Sequence, residues 1–176
     1  MPSPDSPTPR PAAAVVSCAD EDALARFATR LAAALPPQAM LAIEGDLGAG
    51  KTTFVKKLAA AVGIDPTGVT SPTFTLVHVH EVPPAAEGGL RPPRLVHLDA
   101  YRLTGIDDLA TIGWEEMVAD AGWLAVEWPE RIAAALPEHR LDIQIEITGI
   151  SSRRLHLEAT CPALEQAARA AAAGSG

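Results

Sequence analysis

The sequence predicts a three-layer α/β sandwich, with helices on both faces of a largely parallel central sheet and an antiparallel C-terminal edge. Three observations carry this. Short apolar runs alternate along the chain with stretches of helical period, the order that builds a parallel sheet. The run Gly45-Asp46-Leu47-Gly48-Ala49-Gly50-Lys51-Thr52-Thr53 fits G-x-x-x-x-G-K-[ST] between such a strand and such a helix. Near the end, Leu141, Ile143, Ile145 and Ile147 alternate, then Leu155 and Leu157 follow a turn at 149–152, the pattern of an antiparallel pair.

The elements follow in order. Residues 1–12 are dominated by Pro, Ser and Thr and read as a disordered tail. Residues 13–17 suit a short strand, and Asp20-Glu21-Asp22 supplies a cap and first-turn acids. Leu24, Phe27, Ala28, Leu31 and Leu35 then recur at helical spacing until Pro36-Pro37. Residues 39–44 form the strand before the glycine loop, and Phe54, Val55, Leu58, Ala59 and Val62 give the next helix its buried stripe, ending near Gly63. Residues 75–82 alternate with Leu76, His78 and His80 on one face, and 94–98 is another strand. Between them, 83–93 holds four prolines and two glycines and reads as a flexible hairpin connection. Residues 105–120 are helical or mixed, 123–126 is a further apolar strand, and 129–136 suits a short helix with Pro at its start. The alanine-rich segment 161–176 is expected as a tail carrying a short, fraying helix. One domain thus spans 13–160.

The glycine loop is the centre of the chemistry and makes the expected fold P-loop NTPase-like. Glycines at 45, 48 and 50 allow turn conformations in which successive N–H groups face phosphate oxygens, with Asp46, Ala49 and Thr53 completing the loop. Lys51 reaches the terminal phosphates, the Thr52 hydroxyl ligates Mg²⁺, and the helix dipole adds to the attraction. In such sheets ligands bind beyond the carboxyl ends of the strands. Asp99 ends the run 95–98 and Glu127 ends 124–126, so both acids are placed to serve the metal. One can bind it directly and the other through water or by orienting the attacking water; the residues leave open which. Thr70 and Thr73 lie where a switch loop senses the terminal phosphate, with Thr70 a catalytic candidate. His78 and His80 lack a third ligand at a telling spacing. Trp114 and Trp123 read as core, and Trp128 is open to packing or to stacking on a base.

Composition limits the partners. The chain has 176 residues, room for one domain, and 22 acids against 14 Lys plus Arg give a net charge of -8. That field repels polyanions and leaves nucleic-acid binding without its usual counterion-release drive. Any RNA involved is expected to be held by a partner protein. Two cysteines, Cys18 and Cys161, form no disulfide framework and read as small buried thiols. There is neither an apolar run of membrane-spanning length nor a signal-peptide pattern, so a cytoplasmic protein without membrane contact is expected.

Five motifs in order carry a resemblance: Gly45 to Thr53, then Ser71-Pro72-Thr73-Phe74, then His97-Leu98-Asp99-Ala100-Tyr101-Arg102-Leu103, then Gly113-Trp114-Glu115-Glu116, then Val126-Glu127-Trp128-Pro129-Glu130. Over about residues 16–157 the chain resembles the TsaE family, also called YjeE, of small bacterial ATPases. The family works with TsaB and TsaD to place threonylcarbamoyl on the adenosine beside the tRNA anticodon. The resemblance implies a P-loop fold, ATP and Mg²⁺ as cofactors, Thr52 and Glu127 as metal ligands with Asp99 in the same acidic cluster, and one of Arg153 or Arg154 near the nucleotide, with Arg153 the candidate carried forward. Where the family often has a Thr in the first helix near the adenine, this chain has Asp22 or Ala23. A small-molecule kinase is the competing class, but its arginine-bearing lid is missing from the pattern, since the arginines are scattered. A nucleotide-dependent binding module differs from an ATPase only in rate.

Overall fold

The strand that feeds the glycine loop, Ala39–Glu44, lies at the middle of a seven-stranded sheet. The computed structural model describes residues 13–84, 91–120 and 122–174. The tail expected at 1–12 and most of the connection expected at 83–93 lie outside the described residues. The strands are β1 (Ala14–Cys18), β2 (Ala39–Glu44), β3 (Val77–Glu81), β4 (Arg94–Asp99), β5 (Trp123–Glu127), β6 (Leu141–Ile147) and β7 (Arg153–Ala159), in the spatial order β1-β7-β6-β2-β5-β4-β3. β2 runs parallel to β5 and β6, and β4 parallel to β5. The antiparallel C-terminal edge is present as β6, β7 and β1, and the β3–β4 hairpin adds an antiparallel pair at the other edge.

Three helices cover one face: α1 (Glu21–Ala34), α2 (Lys51–Ala61) and α4 (Pro162–Ala173). Asp20 caps α1 by accepting from the Ala23 N–H at 2.8 Å. Phe27 of α1 stacks on Phe54 of α2, ring centroids 6.2 Å apart, above Leu41, Ile43, Leu95 and Ala125. The alanine-rich segment expected as a tail with a short, fraying helix does hold a helix, and that helix packs on the domain. Its helix α4 buries Leu164, Ala167, Ala168 and Ala171, and Arg30 of α1 donates to the Ala171 carbonyl at 2.8 Å. Alanine hides this role in the sequence because a small side chain buries well only when another helix comes close.

The opposite face is thinner. It is covered by 3₁₀ turns at Ile106–Ile112 and Pro129–Ala135 and by the short helix α3 (Trp114–Asp120), around Met40, Val96, Leu98, Leu124 and Val126. The mixed segment 105–120 breaks at Gly113, whose φ is 68°. The helix expected at 129–136 is 3₁₀ and kinked at Ile132, φ -128°. Leu76 does not share the His78 and His80 face: its backbone is left-handed, φ 66°, which delays the strand to Val77 and sends its side chain into this second layer. Cys18 is buried as expected, but Cys161, the residue before α4, is only half-buried.

Candidate nucleotide and metal site

Gly45 leaves β2 where no side chain fits, since a Cβ there would lie 2.7 Å from the Ile145 carbonyl oxygen of neighbouring β6, and φ is +152°. The loop closes through Ala49 N–H to Asp46 O at 3.0 Å. It ends at Gly50, which takes the N-cap of α2 in a left-handed conformation, φ 102°, without a side-chain cap. The first-turn N–H groups of an α-helix have no intrahelical partner. At the mouth of this loop they are therefore the donors an anion would meet.

Two cations bind carbonyls of the loop. Arg153, at the start of β7, donates from Nε to Ala49 O at 2.7 Å and from Nη2 to Gly48 O at 3.4 Å, with further bonds to Gly149 O and Ser152 O. Lys51 Nζ donates to Gly45 O at 2.6 Å and Asp46 O at 3.0 Å. In a trans peptide the N–H points opposite to its carbonyl. The peptide that turns the Ala49 oxygen to Arg153 thus turns the Gly50 N–H the other way. Lys51 also lies 3.7 Å from the centroid of the Trp128 ring, a cation–π contact. Burial pushes its ammonium below the ordinary lysine range, against the opposing pull of Glu127 and Asp99.

The two strand-end acids are register neighbours on β4 and β5 and almost fully buried, Asp99 at 2% and Glu127 at 3% exposure. Glu127 Oε1 accepts from the Thr52 hydroxyl at 2.7 Å, which joins β5 directly to the first turn of α2. The same oxygen is bonded to His97 Nε2 at 2.7 Å. Asp99 Oδ2 accepts from Thr73 at 2.5 Å and Ser71 at 3.1 Å, while Oδ1 accepts from the Tyr101 N–H at 2.9 Å. A hydroxyl beside two carboxylates is an all-oxygen donor set, the kind Mg²⁺ takes while keeping several waters. Among the described residues no cluster of three or more His, Cys, Asp and Glu side chains could hold a metal by itself. The oxygens of Thr52, Glu127 and Asp99 fit an ion that takes its remaining ligands from water and phosphate.

The structure thus brings together Lys51, Thr52, Asp99, Glu127 and Trp128 around the loop formed by Asp46, Gly48, Ala49, Gly50 and Thr53. Of the two arginines, Arg153 turns to the loop and Arg154 turns to Glu146, 3.3 Å away at the surface, as strand alternation requires. Thr70 is exposed, and the switch-segment threonine that reaches an acid is Thr73. Trp128 has a left-handed backbone, φ 57°, and its half-buried ring lies 5.0 Å from that of Tyr101. His97 was not singled out by the sequence, although its place two residues before Asp99 on an alternating strand puts both on one face.

The family model for the threonylcarbamoyl adenosine biosynthesis protein TsaE matches residues 18–155. The tRNA threonylcarbamoyladenosine biosynthesis protein TsaE of Treponema pallidum is 37% identical over 131 residues, 74% of this chain and 90% of that protein. The protein of the same name from Bacillus subtilis is 39% identical over 124 residues, 70% of this chain and 72% of that one. The crystal structure of Bacillus subtilis YdiB superposes with a TM-score of 0.69 at 29% identity, covering 93% of this chain and 96% of that one. With its glycine loop, its strand-end acids and this match across most of its length, the chain belongs to the TsaE family.

Proposed function

We propose that this protein is the Mg²⁺-dependent ATPase component of tRNA threonylcarbamoyladenosine biosynthesis, acting in the cytoplasm on a partner complex of TsaB and TsaD type. The observation that carries the reading is the bond from Thr52 to Glu127, which ties the hydroxyl after the loop lysine to a buried strand-end carboxylate. Bound Mg²⁺ would supply charge neutralisation between the phosphates. The chain's own residues do the rest. The Thr52 hydroxyl donates a hydrogen bond to Glu127, which would leave its oxygen lone pairs free to bind a metal. Glu127 and Asp99 set the negative charge of the site, and Lys51 exchanges its loop carbonyls for phosphate oxygens. Trp128, already beneath the Lys51 ammonium, offers a face beside the nucleotide. Thr73 and Ser71 tie the switch segment to Asp99, so an anion competing for that carboxylate's surroundings changes the loop that ends at exposed Phe74. We place Thr70 in that segment as a catalytic candidate and Arg153 behind the loop as a nucleotide-site residue. Among the described residues no helix is long and apolar enough to cross a membrane.

Transfer RNA enters this reading through the partners. The chain's three lysines, Lys51, Lys56 and Lys57, include one committed to the loop and one that meets Glu21 at 3.3 Å. Against a net charge of -8 they form no track for a phosphate backbone. The test is ATP turnover by the purified chain, alone, with TsaB and TsaD, and with tRNA added. Slow turnover that rises with the partners, is lost in Lys51→Ala and requires Mg²⁺ is expected. Equal turnover by Lys51→Ala, or tight salt-sensitive tRNA binding by the chain alone, would overturn the reading.

A further inference from the structure

His97 occupies a position where packing favours an apolar side chain. It lies on the α2 face of β4, level with Ala125 of β5, two positions after Leu95, and is fully buried. The chain nevertheless places an imidazole there, and its Nδ1 is buried without a hydrogen-bond partner among the described residues. A buried polar atom left unpaired is destabilising. The compensating contact is at the other nitrogen, 2.7 Å from Glu127 Oε1. Against a carboxylate oxygen, an acceptor, Nε2 is the donating nitrogen.

Both hydrogen bonds found at the Glu127 carboxylate among the described residues fall on Oε1, one from Thr52 on the helix side and one from His97 within the sheet. One donor alone leaves the carboxylate free to rotate about the bond to the other. Two donors on one oxygen set the plane of the group and direct its second oxygen. We propose that His97 is a positioning residue for the Mg²⁺ site: it holds Glu127 in the orientation that Thr52 and the metal require. It acts through Glu127, by the bond to Oε1. The inference rests on the reading of Thr52 and Glu127 as the metal site.

Glutamine and asparagine separate this role from packing. His97→Gln can place an amide N–H where Nε2 now stands. His97→Asn keeps a polar group near Nδ1 and falls short of Glu127. Binding of a non-hydrolysable ATP analogue to the full chain, titrated with MgCl₂ from a chelated start, reads the metal directly. We expect His97→Asn to keep its metal-free affinity for the analogue within about twofold and to need about tenfold more Mg²⁺, the usual effect of losing such an outer partner. His97→Gln should recover most of the loss. Thermal melts in the absence of Mg²⁺ register any purely structural cost, which would affect both variants without moving the Mg²⁺ midpoint. An unchanged midpoint in folded His97→Asn, or equal shifts in both variants, would overturn the role while leaving the metal site standing. A wild-type protein indifferent to Mg²⁺ would remove the site and the role together.

Discussion

The middle of the sheet and its C-terminal edge are built by opposite rules. At the carboxyl ends of β2, β4 and β5, Lys51, His97, Asp99 and Glu127 are buried polar or charged groups, held by bonds to one another and to a glycine loop. At the edge, β6 and β7 bury Leu141, Ile143, Ile145, Leu155 and Leu157 beneath α1 and α4, and their charged side chains, such as Glu146 and Arg154, lie outside. Burying a charge is unfavourable unless it is paired, whereas burying a leucine contributes about 1.5–3 kcal/mol outright. The edge therefore supplies stability that the centre consumes, and the two meet at Arg153, the first residue of β7, which binds the loop carbonyls.

Substitutions at the two regions should separate accordingly, beginning with the largest effect. Glu127→Gln keeps an oxygen to accept from Thr52 and removes the charge. Its Mg²⁺-dependent turnover should fall on the order of 100-fold, a usual loss for one group acting on the transition state, while the melting temperature stays level or rises. A large fall in stability would show that the centre is structural after all. The mirror experiment is Leu157→Ala, which should lower stability by about 2–5 kcal/mol in urea melts and leave nucleotide affinity of the folded protein within about twofold. Loss of affinity in folded protein would dissolve the division.

Gly45→Ala tests the seam, because its Cβ would lie against the Ile145 carbonyl of β6. A cost of about 1–3 kcal/mol and weakened nucleotide binding together are expected, from strain in a backbone region closed to most residues. Unchanged binding at reduced stability would detach the loop's shape from its function. The smallest effect concerns protons. Burial lowers the Lys51 pKa below its ordinary 10.5, so between the lowered value and 10.5 the unfolded chain binds more protons than the folded one. Stability of the nucleotide-free protein should therefore rise with pH across that alkaline window. Lys51→Met should remove that part of the slope when denaturant midpoints of the two proteins are compared.

Much of this was legible because it is local. A glycine loop needs its residues adjacent, so Gly45 to Thr53 announced the cradle, and a strand-end acid is readable wherever an apolar run stops, as at Asp99 and Glu127. Alternation at 141–147 and 155–157 announced the antiparallel edge. Helix α4 was harder, since an alanine stripe has no strong apolar signature until α1 lies against it. The choice of Thr73 to meet Asp99, with Thr70 left exposed, depends on a turn that includes left-handed Leu76, a conformation that a leucine does not advertise.

By itself, the sequence determined the loop, the acids, the order of strands and helices, and the charge that keeps a phosphate backbone at a distance, because each depends on neighbours along the chain or on composition alone. Tertiary structure decided which groups meet: Thr52 with Glu127 across 75 positions, His97 with the same carboxylate across 30, and Arg153 in preference to Arg154 with a loop more than a hundred residues earlier. These contacts follow from strand register and alternation, and a shift of one residue in β4 or β7 would turn His97 or Arg153 to the opposite face. Register is set by the packing of the whole sheet between its two layers, so no stretch of sequence contains it.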